Sequence, residues 1–258
     1  MKFLSRILLI AAFALTACVA SPPTAAQDAK TSKTQVSNKE EEAVNALAKL
    51  GVPMHRDPSG VVRWIEAKKG ELTDEAMAYL PALSKLEWLE IGGGKVGATG
   101  VAHLKGCPEL RRLYIYDISL AGDKLPWLAA LTKLEALSLQ RTGVDASIMG
   151  NIKAPGLVVL NLSGNPVGDD VLEAAARIKE LEVLALADTK VTGPGLEKLR
   201  GMQRLNELNL MRCQVYDGDI SVFLSMPNLR IVYAEGCPLS EYGIQNVIAR
   251  FPTLAIFL

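Results

Sequence analysis

The sequence predicts an α/β solenoid of about eight coils, each 24 residues long. A parallel sheet would line the concave side and short helices the convex side. Three observations carry this reading. A phrase of apolar residues at positions 1, 4 and 6 recurs at Leu86/Leu89/Ile91, Leu110/Leu113/Ile115, Leu134/Leu137/Leu139, Leu157/Leu160/Leu162, Leu181/Leu184/Leu186 and Leu205/Leu208/Leu210, and weakens at Leu229/Val232/Ala234 and Leu254/Phe257. The steps are 24, 24, 23, 24, 24, 24 and 25 residues, and one more step back reaches Val62/Ile65/Ala67. Finally, positions 4 and 6 alternate with the two-residue period of a strand, so each unit has one apolar edge that only a stacked neighbour can cover.

One copy, Leu157-Val-Val-Leu160-Asn-Leu162-Ser-Gly-Asn165, reads LxxLxLxxN. It resembles the core phrase of the leucine-rich-repeat family, and the resemblance covers the chain from about residue 60 onward. It implies coils made of a strand, a turn, a convex segment and a return. Thr189-Lys-Val191-Thr-Gly-Pro-Gly195-Leu196-Glu-Lys-Leu199 resembles the cysteine-containing, ribonuclease-inhibitor-like class, and Thr142-Gly-Val144 and Asn165-Pro-Val167 match its first half.

The chain opens with Lys2 and Arg6, followed by an apolar run from Ile7 to Leu15 that is too short for a spanning helix. Residues 1–17 read as a signal peptide. Leu15-Thr16-Ala17-Cys18 resembles the bacterial lipobox, which implies that Cys18 is lipidated and becomes the mature N-terminus. The other reading is an ordinary secretory signal cleaved near Ala20. Val19 in place of Asp implies, by the same resemblance, an outer-membrane destination if the host is Gram-negative. Residues 18–38 are too polar to fold and read as a disordered tether. Residues 39–60 read as an N-terminal helical cap. Asn38 would be its N-cap, Val44, Leu47 and Leu50 its apolar stripe and Gly51 its stop, with an Asp57-Pro-Ser-Gly60 turn following.

Residues 61–258 form the repeat domain. Its convex segments are expected to be helices of about two turns, opening at Thr73-Asp74, Asp145, Asp169-Asp170, Asp217 and Ser240. The final Ile256-Phe257-Leu258 would either pack beneath residues 241–250 or form an exposed edge.

Position 9 of the phrase is Gly94, Ile118, Thr142, Asn165, Thr189, Cys213 and Cys237. In the family this position points inward and its polar atoms satisfy loop backbone, as buried amides require. Cys213 and Cys237 are therefore structural ladder residues. They also lie one coil apart, within the reach of a disulfide, in a compartment expected to be oxidising. Cys107 occupies another common Cys position of the class.

The chain carries 28 basic and 28 acidic residues, formal net charge +0. Without a basic patch, nucleic acid is not an expected partner. His55 and His103 stand apart from any second ligand at metal spacing, so neither a metal nor a cofactor is expected. Gly92-Gly-Gly94-Lys-Val-Gly97 satisfies GxGxxG, but the repeat frame explains these glycines as a turn. No catalytic constellation is apparent.

What remains is a surface. The residues between the leucines write the concave face, and they cluster Trp88, Glu90, Arg111, Arg112, Tyr114 and Tyr116 near its N-terminal end. A weaker group gathers Met211, Arg212, Tyr233 and Glu235. Aromatics and arginine are frequent interface anchors. The expected function is non-enzymatic: a lipid-anchored cell-envelope module that binds a protein or peptide. The alternative is a structural lipoprotein that binds peptidoglycan or polysaccharide.

Overall fold

The computed structural model describes residues 37–258. The signal peptide, Cys18 and the tether as far as residue 36 lie outside the described residues. Within them the chain is a leucine-rich-repeat solenoid. Its ten strands form a single sheet in chain order: β1 Met54–Arg56, β2 Val62–Ala67, β3 Trp88–Gly92, β4 Arg112–Tyr116, β5 Ala136–Gln140, β6 Val159–Asn161, β7 Val183–Ala185, β8 Glu207–Asn209, β9 Ile231–Tyr233 and β10 Ala255–Phe257. From β2 to β10 every pairing is parallel. Eight intervals of about 4.8 Å make this array about 38 Å long.

The leucines of the phrase point inward. Leu89, Leu113, Leu137, Leu160, Leu184 and Leu208 lie opposite one another in consecutive strands and are fully buried. They belong to one continuous cluster running from Ala43 to Leu254.

The turn after each strand also repeats. Position 8 has positive φ in every coil from the second to the eighth: Gly93, Asp117, Arg141, Gly164, Asp188, Arg212 and Gly236. Position 9 then seals the turn. Asn165 Oδ1 accepts from the backbone N–H groups of Thr142 (3.1 Å), Gly143 (2.8 Å) and Val144 (3.2 Å), while its Nδ2 donates to the Leu139 and Leu162 carbonyls. The Cys213 thiol donates to the Leu186 carbonyl at 3.1 Å and the Cys237 thiol to the Leu210 carbonyl at 3.0 Å. The possible Cys213–Cys237 disulfide is therefore corrected: both cysteines are free. Each sulfur reaches back to the preceding coil, so the two side chains point in parallel and not at each other. Burial pushes the Cys107 thiol up to about 12 and raises Cys213 and Cys237, which makes all three inert.

The cap is α1, Asn38–Lys49, and its N-cap is Ser37, whose hydroxyl accepts from the Glu40 N–H at 3.2 Å. The sequence placed the cap one residue late. Ala43, Val44 and Leu47 are buried, whereas Leu50 is exposed. Glu40 is buried and accepts from the Ser84 hydroxyl. Strand β1, unanticipated, pairs antiparallel with β2 across the Asp57–Gly60 turn and covers the first parallel strand's open edge.

The convex segments are about as long as predicted but mix α and 3₁₀ geometry. Single α-turns at α2 (Asp74–Met77), α3 (Ala98–Val101) and α5 (Gly193–Leu196) are followed by 3₁₀ turns at 80–82, 102–106 and 197–199, while α4 (Asp170–Ala176) and α6 (Glu241–Arg250) are α-helical throughout. The remaining coils use 3₁₀ turns at 126–130, 146–151 and 220–225. At the last coil, Ile256 pairs with Val232 and Phe257 with Tyr233. The final step is therefore 24 residues and not 25, and Phe257 faces the concave side, stacked on Tyr233 at 5.4 Å.

Candidate functional site

The concave face is the candidate surface, and strand pairing fixes its rows. Position 3 runs Trp64, Trp88, Arg112, Ala136, Val159, Val183, Glu207, Ile231, and position 5 runs Glu66, Glu90, Tyr114, Ser138, Asn161, Ala185, Asn209, Tyr233. These rows, with position 7 beside them, carry two apolar clusters separate from the main core. The first joins Trp88, Tyr114 and Ala136 with Trp64 and Val159; the second joins Ala187, Met211 and Tyr233 with Ile231. Between them the floor is small side chains.

The first cluster is a file of rings. His55 stacks on Trp64 at 5.0 Å, Trp88 meets Tyr114 edge-on at 6.1 Å, and the Arg112 guanidinium lies over Trp88 at 5.7 Å. Trp88 keeps only 2% of its surface, and its indole N–H is buried without a partner. Beside it, Glu90 is 1% exposed. Lys68 Nζ lies 3.2 Å from Glu90 and 3.5 Å from Glu66, and the Tyr116 hydroxyl donates to Glu90 at 3.2 Å. Burial raises the Glu90 carboxyl, against the opposing pull of Lys68, and raises the Tyr116 hydroxyl as well.

Exposure divides the predicted concave residues. Trp88, Glu90 and Tyr114 are buried, as are Met211 and Tyr233, because neighbouring strands only one strand spacing apart let large side chains shield each other. Arg112 and Tyr116 are partly exposed and Glu235 is exposed.

Two of the predicted arginines sit off the sheet. Arg111, at position 2, pairs with Glu135 one coil on, as Arg63 does with Glu87. Arg212 is a left-handed turn residue at position 8 whose guanidinium grips both oxygens of Asp188, as Arg141 does with Asp117. Both arginines are tied to their own scaffold.

Two residues outside the predicted set belong to this surface. Trp64 extends the ring file, and the Val62/Ile65/Ala67 frame already placed it at position 3. Glu207 sits beside the second cluster, 5% exposed, and burial pushes its carboxyl up to about 7. The other polar side chains nearby are satisfied: Asn161 Oδ1 accepts from the Ser163 N–H, Asn209 Oδ1 from the Met211 N–H, and Ser163 Oγ from the Ala187 N–H. The Tyr233 hydroxyl is buried without a partner.

The glycines of the GxGxxG string serve the scaffold. The Tyr116 ring fills the space a side chain at Gly92 would need, and Gly94, with φ +92, packs on Gly70 of the preceding coil. Among the described residues no group of three or more His, Cys, Asp or Glu is placed to hold a metal ion, and no helix is long and apolar enough to cross a membrane.

A family model described as Leucine Rich repeat matches residues 155–174, the coil that carries the LxxLxLxxN phrase. Among solved structures, internalin C2 from Listeria monocytogenes aligns over 91% of this chain and 100% of its own, with 20% identity and a TM-score of 0.57. A leucine-rich-repeat protein of Leptospira interrogans aligns over 70% of this chain and 45% of its own, with 21% identity and a TM-score of 0.50. These likenesses show the fold. No curated protein matches the chain significantly.

Proposed function

We propose that the protein is a non-enzymatic, lipid-anchored module of the cell envelope that binds a protein or peptide along its concave sheet. The observation that carries this reading is the concave layer itself: two apolar clusters flank a floor of small side chains and lie outside the core. The buried Trp88 N–H and Tyr233 hydroxyl without partners add to it. An unpaired buried polar group costs about 1–3 kcal/mol, which a partner's complementary group would recover. The anchor follows from Leu15-Thr16-Ala17-Cys18; lipidation at Cys18 would place the solenoid on a membrane, the outer one in a Gram-negative host.

The test is cross-linking in native membranes with wild type and a Trp88→Ala/Tyr233→Ala variant, each shown by circular dichroism to be folded. The reading expects a protein captured by wild type and lost from the variant. Capture unchanged by the substitutions would exclude the concave face. In parallel, Cys18→Ser should move the protein from the membrane to the soluble fraction; persistence in the membrane would refute the lipid anchor.

A further inference from the structure

Glu207 differs from every other carboxylate of the sheet. Among the described strands the acidic residues are Glu66, Glu90 and Glu207. The first two share Lys68. The Glu207 carboxylate has neither ion pair nor hydrogen bond, although the described surface is otherwise rich in pairs that join one coil to the next, such as Arg63–Glu87, Arg111–Glu135 and Arg212–Asp188. Its neighbours across the strands are Val183 on β7 and Ile231 on β9. The titratable group facing it from those strands is Tyr233, two residues along β9, which burial and the nearby Glu207 charge push up to about 12. The Tyr233 oxygen is buried and unpartnered. Ala187, Met211 and Ile231 supply an apolar wall against the same tyrosine.

A desolvated carboxylate costs free energy unless a cation meets it. Here the scaffold supplies none. An apolar wall leading to a carboxylate and a hydroxyl oxygen complements a methylene stem that ends in a cationic head, the shape of a long basic side chain.

Resting on the concave-face reading above, we propose that this end of the sheet is a seat for a basic side chain of a bound peptide, lysine or arginine. Its stem lies along Met211 and Ile231 and its charge lies between Glu207 and the Tyr233 hydroxyl. The interaction adds a charge-assisted hydrogen bond and covers the one unpaired acidic group of the sheet. It also gives the concave face a polarity, with paired charge at the Lys68 end and unpaired negative charge at the Glu207 end.

The test uses the full chain and two blocked tripeptides, Val-Lys-Val and its uncharged counterpart Val-norleucine-Val, followed by NMR. The lysine peptide should perturb the Tyr233 ring signals and lower the titration midpoint of the Glu207 carboxyl. Glu207→Gln, which keeps the side-chain shape, should weaken its binding at least about tenfold. Equal binding of the norleucine peptide, unchanged binding to Glu207→Gln, or no response at Glu207 and Tyr233 would each overturn the proposal. Cross-linking separates this outcome from the fate of the wider reading: a partner lost on Trp88→Ala/Tyr233→Ala but kept by Glu207→Gln would sink the basic seat and leave the concave interface standing.

Discussion

At the scale of single residues, Glu207 links the scaffold to pH. Burial holds its carboxyl at about 7, above the ordinary 4.5. Between those values the folded chain keeps a proton that the unfolded chain has released. This contribution to stability is complete below 4.5 and is lost as pH rises through 7, with an upper bound of about 3 kcal/mol. Glu207→Gln removes the titration, so its stability relative to wild type should improve from about pH 5 to about pH 8. Urea midpoints at the two pH values measure this, and a constant difference would show that Glu207 is not the titrating group. This residue also marks what the sequence concealed. Its row was legible because alternation says which side of a strand a residue occupies. Its isolation from any cation was not, since it depends on what the neighbouring coils place beside it. The same limit explains Trp88 and Tyr114, correctly set on the concave face yet covered by their neighbours.

At the scale of elements, the convex turns are joined by a device that recurs with the repeat. Asp74, Asp169 and Asp217 stand at position 13 of their coils and accept from position 12 of the next coil: Gly97 N–H at 2.7 Å, Thr192 N–H at 2.8 Å and Ser240 N–H at 2.7 Å. In each case the carboxylate fills the space where position 15 of the next coil would carry Cβ, and those residues are Gly100, Gly195 and Gly243. One junction reverses the arrangement: Gly193 is at position 13 and Asp219, at position 15 of the following coil, fills its space. Gly195→Ala should therefore cost about 2 kcal/mol by overpacking. Combined with Asp169→Ala, which opens the space, it should cost less than the sum of the single changes, a coupling of about 1 kcal/mol in a double-mutant cycle. Strict additivity would refute the steric account. The strands and the N-cap positions of several convex segments were legible because periodicity and capping are local. The mixture of α and 3₁₀ geometry in those segments was not, because capping signals mark where a segment opens and not which helical geometry it takes. Strand β1 escaped because three residues, Met54-His-Arg56, carry no alternation of their own.

At the scale of the molecule, a solenoid is approximately a sum of coils and nearest-neighbour junctions, so its junctions decide which coils can be removed. Excision of 205–228 brings Gly193 against Gly243, two small residues in register. It preserves the position 9 ladder by setting Thr189 beside Cys237, equivalent to the Thr189–Cys213 contact already present. Excision of 181–204 removes the same length but brings Asp169 against Asp219, two carboxylates directed at one space. Each deletion loses one paired Asp188–Arg212 rung, a small and equal cost at an exposed site. The 24-residue period keeps every strand in register in both cases. Both shortened chains should fold, and the one lacking 181–204 should be less stable by about 2 kcal/mol, or roughly 4–8 °C in melting temperature. Asp219→Gly in that chain should recover most of the difference. Equal melting temperatures, or no recovery, would mean that the convex Asp–Gly junctions do not determine which coils can be neighbours.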